Sequence, residues 1–263
     1  MMQQAMSREL IQRRDRVIVM GGIIGIAVLT WAYIVYLSWN MNNMMMSADM
    51  AMAQMRPWSA ADFALTFVMW AVMMTAMMVP TAAPMILLFA HVQRKRKASQ
   101  RPFVPTGVFL LGYLAVWYGF AAVASVTQWG LHTAALLSPQ SASTSPFLGG
   151  ALLVAAGVFQ WSSLKSACLS HCRGPLGFLM TEWREGKEGA FVMGLRHGMF
   201  CLGCCWVLMA LLFVLGVMNL LWIAVLSGFV LIEKLAPTGQ WVGRFAGILL
   251  IGWGAWMILG ALG

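Results

Sequence analysis

Long apolar runs recur along the chain, at positions 17–37, 64–90, 105–127, 147–164, 197–217, 219–235 and 245–262. Roughly 20 consecutive apolar residues cross the hydrocarbon core of a bilayer as a helix. The pattern therefore predicts an all-α fold, a polytopic transmembrane helical bundle of about seven spans. The fourth run is short, and only a few residues around Met218 and Asn219 separate the fifth from the sixth. Three segments follow from this layout: a basic N-terminal arm (1–16), a first transmembrane helix with a Met-rich outer loop (17–62), and a six-span membrane domain (63–263).

Composition agrees. Hydrophobic residues make up 61% of the chain and charged residues 10%, where a soluble domain carries about 25% charged residues. A net charge of +9 raises the possibility of a nucleic-acid partner, but position excludes it, because the basic residues gather in alternate connections. Arg8, Arg13, Arg14 and Arg16 precede the first run. Arg94, Lys95, Arg96, Lys97 and Arg101 follow the second. Lys165, Arg173, Arg184, Lys187 and Arg196 follow the fourth, and Lys234 and Arg244 lie between the sixth and seventh. The intervening connections hold a single basic residue, Arg56. The positive-inside rule then places the N-terminus in the cytoplasm and, with seven spans, the C-terminus outside. Ala51-Met52-Ala53 imitates a signal-peptidase site but lies too deep, after a run long enough to span, so the first helix is read as an anchor. No nucleotide-binding glycine loop, paired-carboxylate motif or Gly-x-Ser-x-Gly elbow is present in the sequence, and no enzymatic role is expected apart from the dithiol chemistry considered below. Asp62 is expected to cap the second span. Glu233 is either a carboxylate facing the bundle or half of a snorkelling pair with Lys234.

Methionine is concentrated in one part of the chain. Of 23 methionines, 13 lie between Met41 and Met85. The outer loop "MNNMMMSADMAMAQM" contains Met44, Met45 and Met46 among seven. Thioether sulfur suits Cu(I), has no proton to lose and remains a ligand at any physiological pH. An amphipathic segment lying on lipid is the competing reading. In the second span, Met73 and Met77 form one i,i+4 rung, and Met74 and Met78 form another about 100° round the helix. Ordinary core filling explains those four as well as metal binding does. Pro80 and Pro84 follow and are expected to kink the helix and free carbonyls.

All five cysteines lie in or beside the fourth connection and its continuation. Cys168 and Cys172 share a face if the fourth helix extends that far. In "HGMFCLGCCW", a helix starting at His197 puts Cys201 and Cys204 within about 40° of it and Cys205 about 80° away. Two or three such sulfurs with an imidazole at hand suit a soft metal. The competing readings are small hydrophobes in a core, a dithiol oxidoreductase using Cys201-x-x-Cys204, and a Cys/His zinc site. The methionines argue against zinc.

Four stretches, "MMTAMMVPTAAPM", "KSACLSHCRGPLGFL", "GLRHGMFCLGCCWVLMALLFVLGVMNLLW" and "EKLAPTG", resemble a bacterial family of predicted metal-binding integral membrane proteins, over about Phe63 to Gly260. The resemblance implies a multi-span helical fold and a metal, copper before zinc, held by Met73, Met74, Met77, Met78, Cys168, Cys172, His197, Cys201, Cys204 and Cys205. The combined expectation is a Cu(I)-binding protein of the bacterial inner membrane. It takes up or delivers copper from Met44, Met45 and Met46 to a cytoplasmic-side Cys/His cluster. Expected partners are the lipid bilayer, the metal ion, and a copper-dependent enzyme or periplasmic copper carrier. The alternatives are a membrane dithiol-disulfide oxidoreductase and an oxidase assembly factor that hands copper over without transporting it.

Overall fold

The computed structural model describes residues 2–45, 59–99, 103–134, 145–217 and 219–262, and among these every regular element is a helix. In chain order they are α1 (Met2–Met45), α2 (Ala60–Ala98), α3 (Thr106–Thr133), α4 (Pro146–Phe159), α5 (Ser163–Arg173), α6 (Pro175–Glu182), α7 (Gly186–Ala210), α8 (Leu212–Leu215), α9 (Leu220–Leu235) and α10 (Gly239–Gly260). Among the described residues, five stretches are long and apolar enough to cross a membrane: Val17–Asn40, Ala60–Lys97, Thr106–Thr133, Gly186–Leu215 and Gly239–Gly260. The pair α4 and α5, bent by 63°, makes a sixth if it is one broken span. The expected span at 219–235 is α9, whose 16 residues reach about 24 Å, short of the roughly 30 Å hydrocarbon core.

Local chemistry sets the helix ends. Ser59 and Asp62 form a reciprocal capping box at the start of α2, so the cap is Ser59, and Asp62 answers it from the third helical position. Lys95, Arg96 and Lys97 close the same helix, where the macrodipole favours cations. Pro80 and Pro84 do not break α2, which is helical through both. Asn219 caps α9 by accepting from the Trp222 amide. Gly216, at φ 93°, makes the left-handed turn out of α8 that a side chain disfavours.

Three boundaries depart from the sequence expectation. The helix containing His197 begins eleven residues earlier, at Gly186. Hydropathy missed that start because Lys187, Glu188 and Arg196 interrupt the apolar run, yet all three sit on a continuous helix, with Arg196 paired to Glu182. The fourth helix does not reach the first cysteine pair unbroken. It stops at Phe159, and α5 restarts under its own cap, Ser162, whose hydroxyl accepts from the Lys165 amide at 3.1 Å. The third departure is at the Met-rich segment. Helix α1 continues to Met45, so Met44 and Met45 lie on a helix end rather than in a loop. Their side chains, and Met46 altogether, fall outside the described residues.

The most buried span is α2. Helix α3 packs along α2 on one side and α7 on the other, while α1 lies against α2, α5 against α7, and α4 against α10. Successive contacts (Phe89 with Phe109, Met78 with Tyr113, Trp70 with Gln128) run in opposite senses along α2 and α3. The outer faces are apolar: Ile24, Val28 and Leu29 on α1, and Trp241, Phe245 and Trp256 on α10, are all exposed. A surface of this kind, wrapped around a buried core, fits a lipid surround.

Candidate metal centre

Close approach of α3 to α7 creates the site. A Cβ at Gly194 would collide with the Phe109 carbonyl, one at Gly112 with the Phe191 carbonyl, and one at Gly198 with the Val116 side chain. Gly194-x-x-x-Gly198 is thus a small-residue seam that lets two helices touch backbone to backbone, as in membrane helix pairs generally. The contacts advance together along both helices, so α3 and α7 run parallel. This seam brings Tyr113 onto Cys201, with the phenol oxygen 3.0 Å from Cys201 Sγ. The same hydroxyl donates to the Met78 carbonyl at 3.0 Å, which fastens α2 to the cysteine helix through α3.

Cys201, Cys204 and Cys205 are each 1% exposed. The Cys204 and Cys205 thiols donate back to the Cys201 carbonyl, at 3.0 and 2.9 Å. The thiol of Cys172, half-buried on α5, packs against the core beside Cys201 and Cys204. Cys168, one turn earlier, packs where a Cβ at Gly203 would stand. Tertiary structure therefore gathers four sulfurs from two helices, Cys172, Cys201, Cys204 and Cys205, with Cys168 beside them. The gathering lies near the middle of the Gly186–Leu215 span, not at its mouth: Cys201 is 15 residues past Gly186, about 22 Å along the axis.

His197 is buried one turn before Cys201, boxed by the rings of Phe109, Tyr113 and Phe178 at 6.1, 5.8 and 5.3 Å. Its Nδ1 has no hydrogen-bond partner, which costs free energy in an apolar box. His171, the other imidazole of the motifs, turns away and stacks on Phe200 at 4.1 Å. Met73, Met74, Met77 and Met78 are all buried in the same core as the cysteines. Met73 also lines a small cavity with Ile34, Met69 and Val217.

Two residues carry more of this site than the sequence indicated. Lys234 ends α9 inside the core, 6% exposed. Its Nζ donates to Cys201 Sγ at 2.9 Å and to Thr81 Oγ1 at 3.2 Å. Tyr113 is fully buried. Neighbouring Glu233 faces the bundle and does not snorkel, forming a buried ion pair with Lys165 at 2.8 Å. The available signal was a Glu-Lys pair closing an apolar run, which marks a functional candidate as readily as an interfacial anchor.

As the side chains stand, no three His, Cys, Asp or Glu groups among the described residues are arranged to hold a metal ion. The reason is local, since Cys204 and Cys205 turn their thiols onto the helix backbone. A family model described as copper chaperone matches residues 67–257, well over half of the chain and all of the motifs around this site. No curated protein and no solved structure matches the chain.

Proposed function

Because the chain belongs to the PpoB2 family, described as copper chaperone, we propose that it carries Cu(I) as cargo on the sulfur atoms gathered around Cys201. The observation that carries this reading is the convergence of Cys172, Cys201, Cys204 and Cys205 from two helices at one depth in an apolar bundle. Thiolate sulfur is the donor Cu(I) prefers, and an apolar surround keeps out water and competing hard ligands. His197, with an unpartnered ring nitrogen one turn away, offers a further donor. Met77 and Met78, on the helix tied to Cys201 through Tyr113, offer weaker thioether steps.

In the full reading, Met44, Met45 and Met46 collect the ion on the outer side, the α2 thioethers hold it in transit, and the cysteine cluster receives it. In this reading the basic ends of α2 and of the α6–α7 region face the cytoplasm, on the positive-inside rule. The family description is that of a carrier, so handover to a copper-dependent partner suits it better than catalysis.

The test is metal analysis of protein purified under reducing conditions after copper supplementation, beside a Cys201→Ser, Cys204→Ser, Cys205→Ser variant. Native protein is expected to retain copper and the variant to lose it. Equal copper in both removes the reading. The reach between Cys172 and Cys201 also suits a dithiol oxidoreductase, in which those two thiols interconvert with a disulfide. That alternative predicts a Cys172–Cys201 disulfide in protein isolated without reductant, and no dependence of copper content on Cys204 and Cys205.

A further inference from the structure

Among the described residues the core around Cys201 holds three charged side chains: Lys165, Glu233 and Lys234. Lys165 and Glu233 are 2.8 Å apart and cancel. That leaves Lys234, whose hydrogen-bond partners are one sulfur and one hydroxyl. The other described carboxylates do not compensate it. Asp62 answers Ser59, Glu182 pairs with Arg196, Glu185 with Arg96, and Glu188 is exposed in the first turn of α7. A buried ammonium is costly unless a group of opposite sign stands beside it, and such groups inside a membrane bundle mark a functional site. The atom that Lys234 faces is the sulfur central to the cluster.

We propose that the site takes its copper as an anionic two-thiolate complex, formed by Cys201 with Cys172 or Cys204, and that Lys234 is the fixed counter-charge of that complex. Lys234 is a positioning residue and not a ligand. This rests on the copper reading above and goes further by fixing the charge of the bound species. The balance is simple. Cu(I) forms two Cu–S bonds, two thiol protons leave, and the complex carries one negative charge. The ammonium 2.9 Å from Cys201 Sγ neutralises it, so the loaded core carries no net charge. Thr81, on the helix that bears the methionines, holds the other side of the Lys234 head group at 3.2 Å and sets where the charge stands.

The experiment measures Cu(I) affinity of purified full-length protein in detergent, by competition with a chromophoric Cu(I) chelator, for native protein, Lys234→Met, Lys234→Arg and Cys201→Ser. Removing one partner of a buried charge pair is expected to weaken binding by at least roughly tenfold in Lys234→Met. Methionine keeps the stem but removes the charge together with its hydrogen bonds to Cys201 and Thr81, so the melting midpoint of each copper-free variant is measured beside its affinity. Lys234→Arg restores the charge, so it is expected to bind more tightly than Lys234→Met, and failure to do so overturns the proposal even if Lys234→Met folds poorly. Native affinity in Lys234→Met, with weakened binding in Cys201→Ser, overturns the counter-charge and leaves the copper reading standing. Native affinity in Cys201→Ser removes the copper reading itself. X-ray absorption of the loaded native protein is expected to show two thiolate sulfurs on copper, and three would overturn the two-thiolate complex.

Discussion

Tyr113 is one of four tyrosines in the chain, and nothing in "FLLGYLAVWYGF" singles it out from the aromatic residues around it. In the fold its hydroxyl serves both Cys201 Sγ and the Met78 carbonyl, so it joins the helices of both sulfur-rich motifs. Tyr113→Phe keeps the ring and removes both contacts. Chemical unfolding in detergent is expected to show a loss of about 1–2 kcal/mol, the range for leaving a buried partner unsatisfied. The cysteines could be read from sequence because their density is unusual and their spacing is helical. Lys234 and Tyr113 could not, because a lysine at the end of an apolar run and a tyrosine within one have ordinary uses. What makes them part of a site is the sulfur opposite, which belongs to another helix.

At the level of helices, the seam between α3 and α7 decides the register that sets Tyr113 against Cys201. Gly194 has the Phe109 carbonyl where a Cβ would go, whereas a Cβ at Gly228 on α9 meets nothing within 4 Å. Gly194→Ala is therefore expected to destabilise the protein by about 1–3 kcal/mol or more through overpacking. Gly228→Ala is expected to be neutral or to stabilise by up to about 1 kcal/mol, through the helix propensity of alanine alone. Thermal unfolding of the two variants side by side checks the contrast. The break between α4 and α5 was not visible in the hydropathy of 147–164 because that run is α4 with only the first two residues of the more polar α5, and Gln160, Trp161 and Ser162 alone mark the turn. That break matters, since it turns α5 across α7 and delivers Cys172 to Cys201.

For the molecule as a whole, the distribution of sulfur has two ends. The cysteine cluster lies in mid-bundle, and the densest run of methionines follows the first span, outside the part matched by the family. If that run captures copper for the inner site, its role is kinetic supply and not storage. Replacing Met44, Met45 and Met46 with leucine is then expected to lower copper accumulation in cells at limiting copper. Copper bound by purified protein under saturating conditions should remain at the native level. Elemental analysis of cells and of protein reads the two quantities separately, and loss of both would make the run part of the binding site itself.

The sequence alone showed that this chain is helical, that several of its helices are apolar enough to cross a membrane, and that cysteine and methionine are concentrated in a few stretches. Hydropathy, charge placement and residue counts are one-dimensional properties, and they survive without knowledge of the fold. The family resemblance drawn over about Phe63 to Gly260 agrees with the match at 67–257. Tertiary structure alone decided where α7 begins, that α4 stops before the first cysteine pair, that Cys172 joins Cys201 and Cys204 while His171 turns away, and that Lys234 stands against the central sulfur. Those facts depend on which helix lies beside which, and a glycine seam and a broken helix settle that through contacts between residues up to 153 positions apart.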